Sequence, residues 1–198
     1  KEEAKKLKNI FLQQLLMATP PLNRPHFQSK EMAKIHIDLM IETYLLESYQ
    51  NPQNLPMIQN QLSRFMNEDA DEKFNDTLRK ALVLRAQKTQ DIFWNDFLSW
   101  FFVQQKEYSK AFIQQKAIYK REPESFGNIV NLGQMAIEDN DQDAATEILT
   151  FVLENTNDLD LIIQSNSYLM EMKIENRLDK DYPAITKELD KLIAEFGV

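Results

Sequence analysis

The chain has 198 residues, 43% of them hydrophobic, with 23 Lys and Arg against 31 Asp and Glu for a net charge of −8. It contains three Gly and no Cys, where average usage of ~7% would supply about fourteen Gly. Folds that use Gly in hairpins or around phosphates (all-β folds, dinucleotide-binding sheets, P-loops) are therefore disfavoured. Disulfides, a thiolate nucleophile and Cys-ligated zinc are ruled out, and so acidic a chain is a poor nucleic-acid binder, because that affinity rests on Lys and Arg neutralising phosphates.

Good helix formers dominate, and the apolar spacing is helical throughout. Ten helices are predicted. The first spans about 2–18 and is stopped by Pro20, Pro21 and Pro25. The second opens at Ser29, a favourable N-cap, and runs to Tyr49 before Asn51-Pro52; a turn near His36 is the alternative to one continuous helix. The third covers 56–67. The fourth covers 71–88, with Asp69 or Asp71 as cap. The fifth and sixth cover 91–105 and 108–121, the latter ended by Pro123. The seventh and eighth cover 125–139 and 141–154. The ninth and tenth cover 159–175 and 182–196, with Gly197 as terminator. Connections of mostly two to six residues imply antiparallel neighbours. No apolar run reaches the roughly 18 residues of a membrane span, and no signal peptide is evident. A start at Lys1 with a helix under way reads as a piece of a longer protein.

The strongest pattern is self-similarity. Leu98, Phe102, Ala111 and Pro123 shifted by 34 residues meet Leu132, Ala136, Ala145 and Asn157. Two helices per 34 residues is the period of the tetratricopeptide repeat (TPR). One copy reads Asn95, Leu98-Ser99, Phe102, Ala111, Gln115, Pro123, and the next Ile129, Leu132-Gly133, Ala136, Ala145, Leu149, Asn157. Over 91–157 the chain resembles the TPR family; Phe74, Thr77, Ala81 and Leu84 give a partial match over 56–90. Two departures stand out: Ser99 replaces the pattern's Gly, and Gln115 replaces a large apolar residue.

The resemblance implies an all-α fold, a TPR-like α-solenoid of about five antiparallel helix pairs in a right-handed superhelix. Residues 1–198 then form a single domain: a divergent pair (1–55), a degenerate repeat (56–90), two repeats (91–123 and 124–157) and a capping pair (158–198). It also implies a concave groove lined by first helices. The matching stripe carries Phe93, Asp96, Trp100, Val103 and Gln104 on the fifth helix. On the seventh it carries Gly127, Val130, Gln134, Ile137 and Glu138, and on the third Gln59, Leu62, Met66 and Asp69. Aromatic anchors flanked by Gln and acids suit peptide capture; the alternative is that Phe93 and Trp100 are core. The stripe lacks the Lys/Asn/Arg set with which some TPR domains clamp a terminal carboxylate, so its acidity favours neutral or basic ligands. The similarity to envelope TPR proteins of bacteria over 93–121 leans the expected compartment toward the envelope or periplasm rather than the cytoplasm.

No catalytic or metal constellation emerges. Asp139, Asp141 and Asp143 imitate the start of a calcium loop, but Ala144 and Thr150 stand where Gly and Glu are needed, so a helix cap is the better reading. His26 and His36 form no ligand pair. No cofactor and no enzymatic activity are expected. The expected function is a protein–protein interaction scaffold that binds a peptide or protein partner on its concave face. The alternative is a spacer or self-association segment, forming homodimers through exposed solenoid ends.

Overall fold

The computed structural model describes residues 30–68, 73–89, 91–123, 126–175 and 179–196. These residues are all-helical, with nine α-helices and no strand among them. The predicted first helix, the Ser29 cap of the second, the Asp69 or Asp71 cap of the fourth, His26, Ser125 and Gly197 lie outside the described residues. The chain divides into two compact units, Lys1–Gln90 and Asp91–Val198. The boundary between the units falls where the first well-matched repeat begins.

In the first unit, α1 (Lys30–Gln50) packs against α2 (Leu55–Glu68) and α3 (Lys73–Lys88). It is one continuous helix, so there is no turn at His36. A Lys-Ile-His-Ile-Asp run has no Gly or Pro to break it, and Met40, Ile41, Tyr44 and Leu45 on one face are buried. The helix ends before Pro52, where the Glu47 carboxylate accepts from the side-chain amides of Asn51 and Asn54, each at 2.9 Å. Phe65 joins the three helices, with its ring centroid 6.2 Å from Tyr44 and 5.6 Å from Phe74. On α3 the buried face is Phe74, Leu78 and Leu82. The 34-residue frame does not follow burial here: its Leu84 is 48% exposed, and Thr77 and Ala81 are half-buried. In the same unit Leu62 and Met66 of the expected groove stripe are core, at 0% and 5% exposure, because α2 turns its apolar side to α1.

In the second unit, α4 (Ile92–Gln104) packs on α5 (Tyr108–Tyr119), and α6 (Gly127–Glu138) on α7 (Gln142–Asn155). Next, α8 (Leu159–Glu175) packs on α7, and α9 (Tyr182–Phe196) on α8. Further contacts link α5 to α6 and α7, and α6 to α8. Asp91 caps α4 by accepting from the Phe93 N–H at 3.0 Å, and Asp141 caps α7 by accepting from the Ala144 N–H at 3.1 Å.

The two best-matched segments turn in the same way. After α4, Lys106 takes φ 56°, and after α6, Asn140 takes φ 63°. The Lys106 N–H donates to the Val103 C=O, and the Glu107 N–H to the Phe102 C=O, both at 2.9 Å. Thirty-four residues on, the Asn140 N–H donates to the Ile137 C=O at 2.9 Å and the Asp141 N–H to the Ala136 C=O at 2.8 Å. Each is a Schellman closure with its left-handed residue just past the cap. The two departures from the repeat pattern meet across α4 and α5. A Cβ on Gly133 would stand 2.8 Å from Leu149 Cδ2. At the corresponding places, Ser99 has a Cβ and Gln115 a slimmer side chain: Gln115 Nε2 donates to Ser99 Oγ at 3.0 Å, and Ser99 Oγ to the Ala111 C=O at 3.3 Å. The added Cβ at one position is accommodated by loss of branching at the other.

Candidate functional site

The α4 sequence Ile-Phe-Trp-Asn-Asp-Phe-Leu-Ser-Trp is apolar nearly all round, and Trp94, Phe97, Leu98, Phe101 and Phe102 are buried. Phe93 and Trp100 are left half-buried and Asp96 exposed on the remaining side. The Phe93 ring is set edge-on to Trp94 at 4.9 Å and to Phe97 at 5.9 Å, and Trp100 is set edge-on to Phe97 at 5.4 Å. Such packing holds an aromatic wall in one orientation.

Phe93 and Asp96 line a pocket of about 420 Å³ bounded by α4, the C-terminal half of α5 and the first turn of α6. Ile129, 1% exposed, and Gln115, 8% exposed, lie deepest. Ile118 and Tyr119 form the α5 side. Glu122 and Asn128 are exposed at the rim. Tyr119 is held by Phe126 at 4.5 Å and by Phe151 at 6.0 Å. Asp96 accepts from Gln115 Nε2 at 3.3 Å, so the departure from an apolar residue at 115 anchors a pocket carboxylate. Beside the pocket, buried Asn95 donates to Gln114 at 2.9 Å and accepts from Arg121 at 2.8 Å.

The other expected groove residues fall in three places. Gln134 and Glu138 form a pair, the Gln134 amide donating to the Glu138 carboxylate at 3.0 Å, while Tyr168 donates to Gln134 Oε1 at 3.0 Å. Gln104 is exposed near the end of α4 and lines no part of the pocket. Val130 is core at 1% exposure, not a groove residue. The buried side of α6 is broad, with Ile129, Val130, Leu132, Gly133 and Ala136 all covered, so a stripe drawn by helical spacing overlapped the core.

Tyr119 and Glu122 were missed because they come from α5 and the following loop rather than from first helices, and Asn128 because, although on α6, it lies off the expected stripe. Only Gln115 carried a signal, as a polar residue at an apolar repeat position.

A second polar cluster ties the α4–α5 turn to the end of α6. The Asp139 carboxylate accepts from Lys106 Nζ at 2.8 Å and from the Tyr108 hydroxyl. These bonds hold the Asp139 carboxyl below its usual range, the Lys106 bond most strongly. Burial, then the Asp139 contact, pushes the Tyr108 phenol well above its usual value. Asp139 and Asp141 therefore serve a tie and a cap, in keeping with the cap reading, and among the described residues no group of three or more His, Asp or Glu could hold a metal ion. Nor, among them, is any helix long and apolar enough to cross a membrane.

No protein-family model, curated protein or solved structure matches the chain.

Proposed function

We propose that the chain is a TPR-like scaffold, without catalytic activity, whose second unit stacks its helix pairs as a solenoid and binds a peptide or protein on the side carrying Phe93, Asp96 and Trp100. The observation that carries this reading is the turn geometry: the same Schellman bonds and the same left-handed residue recur 34 residues apart, at Lys106 and Asn140. Repetition of a helix pair at fixed period is how arrays build a continuous binding surface from rigid helices. The half-buried rings of Phe93 and Trp100 beside an exposed carboxylate have the composition of an interaction hot spot. The test is affinity capture by the full chain, followed by direct titration of the captured partner. Trp100→Ala is expected to weaken the partner about tenfold or more, as loss of a hot-spot aromatic does. Ile113→Ala, at an exposed position of α5, is expected to leave affinity unchanged. Equal affinity of the folded Trp100→Ala variant would overturn the groove assignment.

A second reading, self-association, is favoured by one feature. An apolar groove of about 430 Å³ runs between α8 and α9, lined by Ile163, Met170, Leu189, Leu192, Phe196 and the half-exposed Ile193. Sedimentation that is independent of concentration would remove this reading.

A further inference from the structure

The pocket between α4, α5 and α6 is rich in acceptors. Asp96 and Glu122 bring carboxylates to its exposed edge. Gln115, more than nine-tenths buried, makes both of its hydrogen bonds from Nε2, to Asp96 and Ser99. Its Oε1 is thus an acceptor with no donor among the described residues, on a side chain that lines the cavity. The atom keeps solvent access through the cavity, so a ligand that donates there replaces water at an acceptor already in place. Of the side chains that line the pocket only Gln115, Tyr119 and Asn128 carry donors, and the Gln115 amide is already engaged with Asp96 and Ser99.

The neighbouring cations are engaged elsewhere. Arg121 donates to Asn95, and Lys116 pairs with Glu147 at 3.2 Å while lying over the Phe112 ring at 4.1 Å. Neither lines the pocket. Two carboxylates and an amide carbonyl that faces the cavity, beside the aromatic side chains of Phe93 and Tyr119, are complementary to a flat, donor-rich cation. A guanidinium has five N–H donors in a fixed plane and stacks on rings. The volume of about 420 Å³ exceeds that of one side chain and leaves space for flanking backbone. The chain's net charge of −8 would add long-range attraction for a basic ligand.

We propose that this pocket receives an arginine side chain presented by the partner peptide. The inference rests on the scaffold reading for its biological setting but stands on the pocket's own chemistry. Its test needs no partner. The full chain, isotope-labelled, is titrated with capped Gly-Arg-Gly, Gly-Lys-Gly and Gly-Gln-Gly tripeptides while amide shifts are followed.

The arginine peptide is expected to move amides around Phe93, Asp96, Gln115, Tyr119 and Asn128. The lysine peptide should bind more weakly and the glutamine peptide not at all. Glu122→Gln, at an exposed site with only a backbone role in the helix end, is expected to weaken the arginine peptide about fivefold, the equivalent of ~1 kcal/mol. Added salt should weaken it further by screening. Equal binding of the glutamine peptide, unmoved pocket amides, or unchanged affinity in Glu122→Gln would each overturn the proposal. If the tripeptide fails while Trp100→Ala still abolishes partner capture, the arginine pocket falls and the groove reading survives. The reverse pattern separates them in the opposite sense.

Discussion

Gln115 would be a liability in an apolar repeat position if it stood alone. It is tolerated because Ser99 stands opposite, giving its Nε2 an acceptor within the α4–α5 contact. The equivalent contact between α6 and α7 uses Gly133 against Leu149, with no space for a Cβ. Two solutions to one packing problem thus occur in the same unit, and each pair should behave as a pair. Gln115→Leu alone brings a branched side chain against the Ser99 Cβ and is expected to cost about 1–3 kcal/mol, as overpacking does. Ser99→Gly alone removes a hydrogen-bond partner and adds helical Gly, at about 1 kcal/mol or more. The double variant should recover part of the combined loss, with a coupling of at least ~0.5 kcal/mol in a double-mutant cycle by denaturant unfolding. Strict additivity would show that the two positions do not compensate each other.

Between elements, the α4–α5 turn and the end of α6 are joined through Asp139, which accepts from Lys106 and Tyr108 at the same carboxylate. Because the folded state holds this carboxyl below its unfolded value, the tie contributes stability above the unfolded pKa. That contribution is lost as pH falls through the lowered folded pKa. Asp139→Asn is expected to lower the thermal midpoint near neutral pH and to shrink the difference between neutral and acidic midpoints. Melting curves across that range check it; an unchanged acid limb would show that the tie carries no stability. At the other end of the unit, α9 has no buried residue. Its contribution to the core is correspondingly small, and its apolar side is what an associating surface would use.

At the scale of the whole molecule, the division at residue 90–91 gives each unit its own core. The first is built on Met40, Ile41, Leu45, Leu62, Phe65 and Phe74, and the second on Phe97, Phe101, Phe112, Ile129, Ile148 and Leu149. A domain with its own buried core can fold alone. Residues 91–198 expressed by themselves are expected to keep their helical circular dichroism and to unfold in a cooperative transition. A fragment lacking that transition would show that the second unit depends on the first.

Helix placement was legible in the sequence because it depends on local rules. Asp91 and Asp141 cap helices where short acidic residues precede apolar periodicity, and Pro52 stops α1. The small residues Ala111 and Ala145 are fully buried for the same reason they were noticed: a helix approaches closely there. What lies beyond one helix was not legible. Helical spacing put Val130, Leu62 and Met66 on a surface, yet they are core, because the width of a buried face depends on how many neighbours cover it. The pocket joins Phe93 and Asp96 to Gln115, Tyr119 and Glu122, residues up to 29 positions apart that share no periodic stripe. The sequence by itself determined the helical character of the described residues, the Asp141 cap and the 34-residue spacing of 91–157, since these follow from contacts a few residues apart. Only the tertiary structure decided the division into two units, the pairing of Ser99 with Gln115 and the acceptor-rich pocket, because each depends on which side chains meet when separate helices pack.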